Sequence, residues 1–255
     1  MQTALPREAL QTYKSKSQQA RVATESWAGR NLFCPNCESL HLKPAPPGTP
    51  VIDFTCPVCR SPFQLKAQSH AFGTRIVDAA YSEMIRAIRS NSTPNLFAIH
   101  YERDAWRVRD LIIIPHFAFP ISAIEKRKPL AASARRAGWV GCNILLGAIP
   151  SDARIAVVEN GKAESPRLVR ERFARVKPLG KLPVERRGWS LDVLNAVRSL
   201  GKPEFDLSEI YSSDKALARL HPGNHHIRPK IRQQLQILRD LGLLEFLGAG
   251  SYRLT

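Results

Sequence analysis

The chain has 255 residues, 44% hydrophobic and 24% charged, with a formal net charge of +16 at pH 7. That length exceeds one small domain and predicts about two; no apolar run approaches the ~18–20 residues that span a bilayer, which excludes a helical membrane protein. The basic excess suits a polyanionic partner such as nucleic acid, but carries no sequence specificity by itself. The first residues, MQTALPREALQTYKSKSQQAR, lack the apolar core of a secretory signal, which predicts a cytoplasmic protein.

In chain order, TYKSKSQQARVATESWAGR reads as a helix with sparse apolar positions, Val22 and Trp27, lying on the edge of a sheet. Residues 31–66 hold four cysteines and two strand-like runs, VIDFT and FQLKA. DAAYSEMIRAIRS then fits a helix whose stripe is Ala79, Ala80, Met84, Ile85 and Ile88. LFAIHY, LIIIP, the run from Val140 to Leu146 and RIAVV predict further strands, with a basic loop from Lys126 to Arg136 among them. These elements predict a mixed α/β (α+β) domain over 1–182 in which helices cover a sheet.

KPLGKLPVERRGW, with its Pro and Gly breaks, reads as a linker, which places a domain boundary near 182. Over 183–255 the pattern is three helices and a hairpin, a winged helix-turn-helix. Ser190 is the expected N-cap of the first helix, and the second runs from Ser208 through SEIYSSDKALARL. The third, HIRPKIRQQLQILRDLG, has a core stripe of Ile227, Ile231, Leu235, Leu238 and Leu241. Arg228, Arg232, Gln233, Gln236 and Arg239 stand away from it. A Gly-Ala-Gly turn closes the terminal hairpin.

Cys34 and Cys37, then Cys56 and Cys59 after an eighteen-residue gap, have the spacing of a zinc ribbon over 34–59. Four thiolates close a tetrahedral sphere, so the Zn2+ would be structural, with no position open to substrate. Cys142, in WVGCNILL, reads as a small buried hydrophobe. On strands of period two, Gln64 and Lys66 share one face, and a hairpin with VIDFT brings Asp53 onto it. An acid, an oxygen ligand and a lysine so grouped can hold Mg2+ and activate water for phosphodiester hydrolysis. Asp53-x10-Gln64-x-Lys66 matches the PD-(D/E)xK nuclease pattern, with glutamine at the second acid. The pattern alone does not separate a catalytic cluster from an acid at a strand edge beside a solvated lysine.

Beyond these residues, TYKSKSQQAR, both CxxC pairs, RKPLAASARRAGWVGCNI, RGWSLDVLN and NHHIRPKIRQQLQILRD resemble the DpnI-like methyl-directed restriction endonucleases, in the same order and over nearly the whole chain. The resemblance implies a PD-(D/E)xK core with an embedded zinc site and a C-terminal winged helix. It also implies Mg2+-dependent cleavage (Mn2+ being a second option) of double-stranded DNA at GATC carrying N6-methyladenine. Asp53 then takes the first acidic position, Gln64 the second and Lys66 the lysine; the Leu65 carbonyl joins the magnesium ligands, and Glu25 is a further candidate. Gln64 supplies a neutral oxygen where a carboxylate is expected, which weakens Mg2+ binding or shifts metal preference.

A winged helix reads the major groove with its third helix, so Arg228, Arg232, Gln233 and Gln236 are the candidates for base contact. Trp139 is the candidate apolar surface for the methyl group, or else a core tryptophan. Arg135 and Arg136 suit phosphates. The expected partner is adenine-methylated DNA, with no membrane and no obligate protein partner. The alternative reading is a catalytically weak or inactive reader of methyladenine.

Overall fold

The computed structural model describes residues 1–255, the side chain of Ala9 excepted. Two compact units are drawn from alternating stretches of the chain. One comprises Met1–Gly73, Pro94–His116 and Arg154–Ala174; the other comprises Thr74–Thr93, Phe117–Ala153 and Arg175–Thr255. Among the described residues no helix is long and apolar enough to cross a membrane.

The first unit is built on a seven-stranded sheet, ordered Lys43–Pro44, Phe54–Thr55, Pro62–Gln68, Asn95–Glu102, Arg107–Ile114, Ile155–Glu159 and Lys162–Ala163. Pro62–Gln68 and Asn95–Glu102 run parallel, from Phe63↔Asn95 to Gln68↔His100, while the other pairs are antiparallel. A parallel pair needs a long crossover, which residues 69–94 supply. Leu96, Phe97, Ala98 and Ile99 are all buried, as expected for a central strand covered on both faces. Helix Lys16–Asn31 buries Ala23, Thr24, Trp27 and Ala28, so its packed face is mostly small residues around one tryptophan. Trp27 Nε1 donates to the Gln2 carbonyl at 2.8 Å, which satisfies its buried N–H.

Part of the second unit is a three-stranded sheet, Arg75–Ala80, Gly141–Leu145 and Ile124–Lys126, under helix Tyr81–Arg89. Here the sequence reading is corrected: Ala79 and Ala80 end a strand and do not begin the helix. The run Arg75–Ala80 pairs with Gly141–Leu145, through Ile76↔Ile144, and that pairing outweighs the helical propensity of the alanines. Cys142 is fully buried, and its Sγ donates to the Ala79 carbonyl.

The winged helix lies in the same unit, and two expectations change there. The Pro/Gly-rich stretch 177–189 is not an open linker. It forms a 3₁₀ turn over Lys177–Lys181 and then the first turns of helix Val184–Ser199, with Leu179 fully buried and Pro183 just before the helix, where a missing N–H costs nothing. Ser190 is therefore no N-cap but an interior residue. Leu191, Val193, Leu194 and Val197 around it are also fully buried. The expected helix from Ser208 is broken into Leu207–Ile210, a 3₁₀ turn and Asp214–Leu220. The Glu209 carboxylate accepts from the Asp206 amide at 2.9 Å and caps the first piece.

The third helix spans Ile227–Asp240 and buries Ile231, Leu235 and Leu238 completely, with Arg228, Arg232, Gln233, Gln236 and Arg239 exposed. The terminal strands Leu244–Gly248 and Ser251–Leu254 turn through Gly248, Ala249 and Gly250, all at positive φ. A third strand, Glu204–Asp206, joins them.

Candidate active site and metal centre

The hairpin that carries the candidate catalytic residues has a cysteine knuckle as its turn. Phe54 pairs with Phe63 and Thr55 with Pro62, and Cys56–Cys59 lies between. The Cys56 amide donates to the Ser61 carbonyl at 3.0 Å, and Arg60 takes a left-handed φ of 62° to close the loop. The first knuckle repeats the device, with the Cys34 amide donating to the Ser39 carbonyl at 3.0 Å. Arg170, from helix Pro166–Val176, clamps that knuckle by donating to the carbonyls of Cys34 and Ser39, both at 3.1 Å, and to Glu38 at 3.0 Å.

The four sulfurs of Cys34, Cys37, Cys56 and Cys59 lie within 4.8 Å of one another. Cys34 is 3.5 Å from Cys59, and Cys37 is 3.5 Å from Cys56. A disulfide needs about 2.05 Å, whereas thiolates around one tetrahedral Zn2+ stand roughly 3.7 Å apart given Zn–S bonds near 2.3 Å. The cluster therefore fits a structural zinc. Burial pushes the Cys34 and Cys37 thiols up. Burial also pushes Cys59 up, but hydrogen bonds from Ser61, Cys34 and Cys56 together outweigh it and hold this thiol down to about 6. The raised Cys34 and Cys37 thiols ionise readily only onto a cation.

Asp53 sits beside the opposite strand. Its amide donates to the Phe63 carbonyl at 2.9 Å, and its Oδ2 accepts from the Leu65 amide at 2.7 Å. Burial raises its pKa; the Leu65 N–H opposes this, Glu25 adds to it, and Lys66 and Arg21 lower it. Two carboxylates and two cations thus act on one another here. Gln64 is buried, at 8% exposure. Glu25, on helix Lys16–Asn31, accepts from Arg21 Nε at 2.8 Å. Arg21, Thr24, Glu25, Leu65 and Lys66 line a groove of about 710 Å³ that continues past Lys16, His70 and Arg103. The structure so brings Asp53, Lys66 and Glu25 within electrostatic reach of each other, next to Gln64 and the Leu65 amide. Such a set can hold a divalent cation and present a lysine beside it.

The candidate DNA-contacting residues lie in the second unit, in two groups. In the 127–140 loop Arg135 and Arg136 are exposed, and the Arg136 guanidinium lies 5.3 Å from the centre of the half-buried Trp139 ring. Trp139 is thus no core tryptophan. Its ring packs so closely on Gly141 that a Cβ there would stand 2.8 Å from two ring carbons. On the third helix Arg228 stacks on Tyr211 at 5.0 Å and pairs with Asp214 at 3.0 Å, Arg232 donates to the Tyr211 hydroxyl at 3.2 Å, and Gln233 accepts from Lys230 at 2.8 Å. Gln236 is exposed.

Sequence reasoning missed four features. Arg21 was detectable, since it lies four residues before Glu25 on a helix face. Arg170, the Ser190–Gln234 bond and the network of Asp192 with Ser122 (2.6 Å) and His221 (2.9 Å) join residues distant in sequence, and no local pattern announces them.

Residues 1–182 match the family model DpnI, described as the Dam-replacing family, and residues 185–254 match DpnI_C, the Dam-replacing HTH domain. Together these matches take in the zinc cluster, the Asp53 hairpin and the winged helix, and they support a methyl-dependent restriction enzyme. The chain belongs to the Dam-replacing family.

Proposed function

We propose that the chain is a methyl-dependent restriction endonuclease that cleaves double-stranded DNA at GATC sites carrying N6-methyladenine. The observation that carries this reading is the Asp53 carboxylate, fixed by the Leu65 amide and placed among the charges of Glu25, Lys66 and Arg21 on a hairpin closed by a cysteine knuckle. Asp53, the Gln64 side-chain oxygen, the Leu65 carbonyl and Glu25 would hold Mg2+, with Mn2+ as a second fit. Bound there, the cation supplies Lewis-acid activation of water and charge neutralisation at the phosphoryl group.

The protein's own contribution is positioning. Lys66 orients or deprotonates the attacking water and offsets charge on the phosphate. The Leu65 N–H holds one Asp53 oxygen, which leaves the other for the cation. Gln64 offers an oxygen without charge, and Glu25 restores the second carboxylate from a neighbouring element. The zinc cluster fixes the hairpin, so a structural ion sets the catalytic geometry.

In this reading residues 1–182 cut and also sense the methylated site through the 127–140 loop, while residues 183–255 read base edges, in the cytoplasm, where DNA is accessible. Arg228, Arg232, Gln233 and Gln236 address base edges, Arg135 and Arg136 hold phosphates, and Trp139 offers its ring to the N6-methyl group. A second reading, a catalytically silent reader of methyladenine, is favoured by one observation, the neutral Gln64 at an acidic position. Lys66→Ala separates them. A nuclease loses metal-dependent cleavage of methylated DNA and keeps its methyl-dependent gel shift; in a silent reader the substitution changes nothing, because no cleavage exists to lose.

A further inference from the structure

One cation in the wall of the groove, Arg21, is given neither a catalytic nor a DNA-contacting role in the reading above. Arg21 stands one helical turn before Glu25 and donates to it at 2.8 Å, with the two side chains 75% and 41% exposed. An exposed pair of this spacing adds little to helix stability. Its location says more. Both residues open onto the groove beside Leu65 and Lys66, and among the groove's lining residues Lys16, Arg21, Lys66 and Arg103 face a single acid, Glu25. That balance suits a polyanionic strand lying along the helix. Both Arg21 and Glu25 also act electrostatically on Asp53.

A divalent cation beside Asp53 attracts the Glu25 carboxylate and repels the Arg21 guanidinium. A phosphodiester in the groove has the opposite preferences. We propose that Arg21 is an exchangeable positioning residue: it holds Glu25 in the cation-free protein and moves onto a phosphate of the bound strand when Glu25 turns to the cation. This rests on the nuclease reading. It adds a guanidinium whose two partners are mutually exclusive, so the site accepts cation and DNA together more readily than either alone.

The test uses the full zinc-loaded chain and Arg21→Met, which keeps the apolar stem and removes the charge. Mn2+ binding without DNA, followed by loss of the free-ion electron paramagnetic resonance signal, is expected to tighten by about threefold or more in Arg21→Met, because Glu25 no longer has a competing partner. Arg21→Lys, which keeps the charge, is expected to return the affinity toward that of the parent. With Ca2+ holding DNA uncut, the slope of log affinity against log salt is expected to flatten by about 0.9 in Arg21→Met, as for one lost phosphate contact.

Unchanged or weaker Mn2+ binding in Arg21→Met, an unchanged salt slope, or a parent chain that binds no Mn2+ beyond its zinc site each overturns the exchange. A parent that cleaves methylated DNA while Arg21→Met binds Mn2+ unchanged removes Arg21 alone and leaves the nuclease standing. A parent that binds Mn2+ but cleaves nothing removes the nuclease, and the tightening then decides for or against Arg21 on its own.

Discussion

Ser190 and Gln234 join helix Val184–Ser199 to the third helix of the winged domain through a fully buried hydrogen bond. Ser190 Oγ lies 2.7 Å from Gln234 Oε1, both residues are 0% exposed, and Gln234 Nε2 has no partner among the described residues. Ser190→Ala deletes the donor and leaves the whole amide desolvated. Leaving a buried polar group without its partner costs about 1–3 kcal/mol, so the predicted loss is about 2 kcal/mol. At about 2–4 °C per kcal/mol for a protein of this size, Tm falls by about 4–8 °C.

Gln234→Met is the larger chemical change but the milder one. It removes both buried amide groups, conserves volume, and leaves the Ser190 hydroxyl its 3.1 Å contact with the Arg186 carbonyl; the expected cost is under about 1.5 kcal/mol. Urea unfolding of the zinc-loaded chain, followed by circular dichroism, measures both. The reasoning is refuted if Ser190→Ala stays within about 0.5 kcal/mol of the parent, or if Gln234→Met destabilises more than Ser190→Ala does.

Asp53→Asn keeps an oxygen for the Leu65 amide and discharges a group whose pKa burial raises. Ionisation of Asp53 therefore opposes folding above its native pKa, so Asp53→Asn should raise Tm at pH 7; the gain should shrink as pH falls through the native pKa and vanish below the unfolded value, which a pH series of thermal melts reads. Gln64→Glu places a third carboxylate near Asp53 and Glu25 in a buried position. It should lower stability without a divalent cation and tighten Mg2+ binding about tenfold, as calorimetric titration would show. Cys56→Ser should abolish the one bound Zn2+ per chain measured by atomic emission, and amide exchange should quicken at Phe54–Thr55 and Pro62–Gln68 while Arg107–Ile114 stays protected.

What the sequence reveals depends on how local the signal is. Two CxxC pairs need only their spacing to predict a four-sulfur cluster, and the third helix needs only its own stripe. The Asp53–Leu65 bond was half legible: strand period put Gln64 and Lys66 on one face, but the closing bond depends on antiparallel register across the knuckle. The stretch 177–189 misled because Pro and Gly are read as breaks, whereas here Pro183 precedes a helix and the helix tolerates Gly188. The strand Arg75–Ala80 went unseen for the same reason in reverse, since its partner lies some 65 residues away and its alanines favour helix when read alone. Arg170, Ser190–Gln234 and Asp192–His221 exist only through tertiary packing. Composition cannot show them.

The central claim is that Asp53, Gln64 and Lys66 form a working hydrolytic site directed by adenine methylation. The most direct measurement is digestion of one plasmid, prepared with and without N6-methyladenine at GATC, by the purified zinc-loaded chain in Mg2+ and again in Mn2+. Fragments from the methylated plasmid alone are the predicted result; no cleavage with either metal, together with a methyl-dependent gel shift, contradicts it and leaves a reader of methylated DNA.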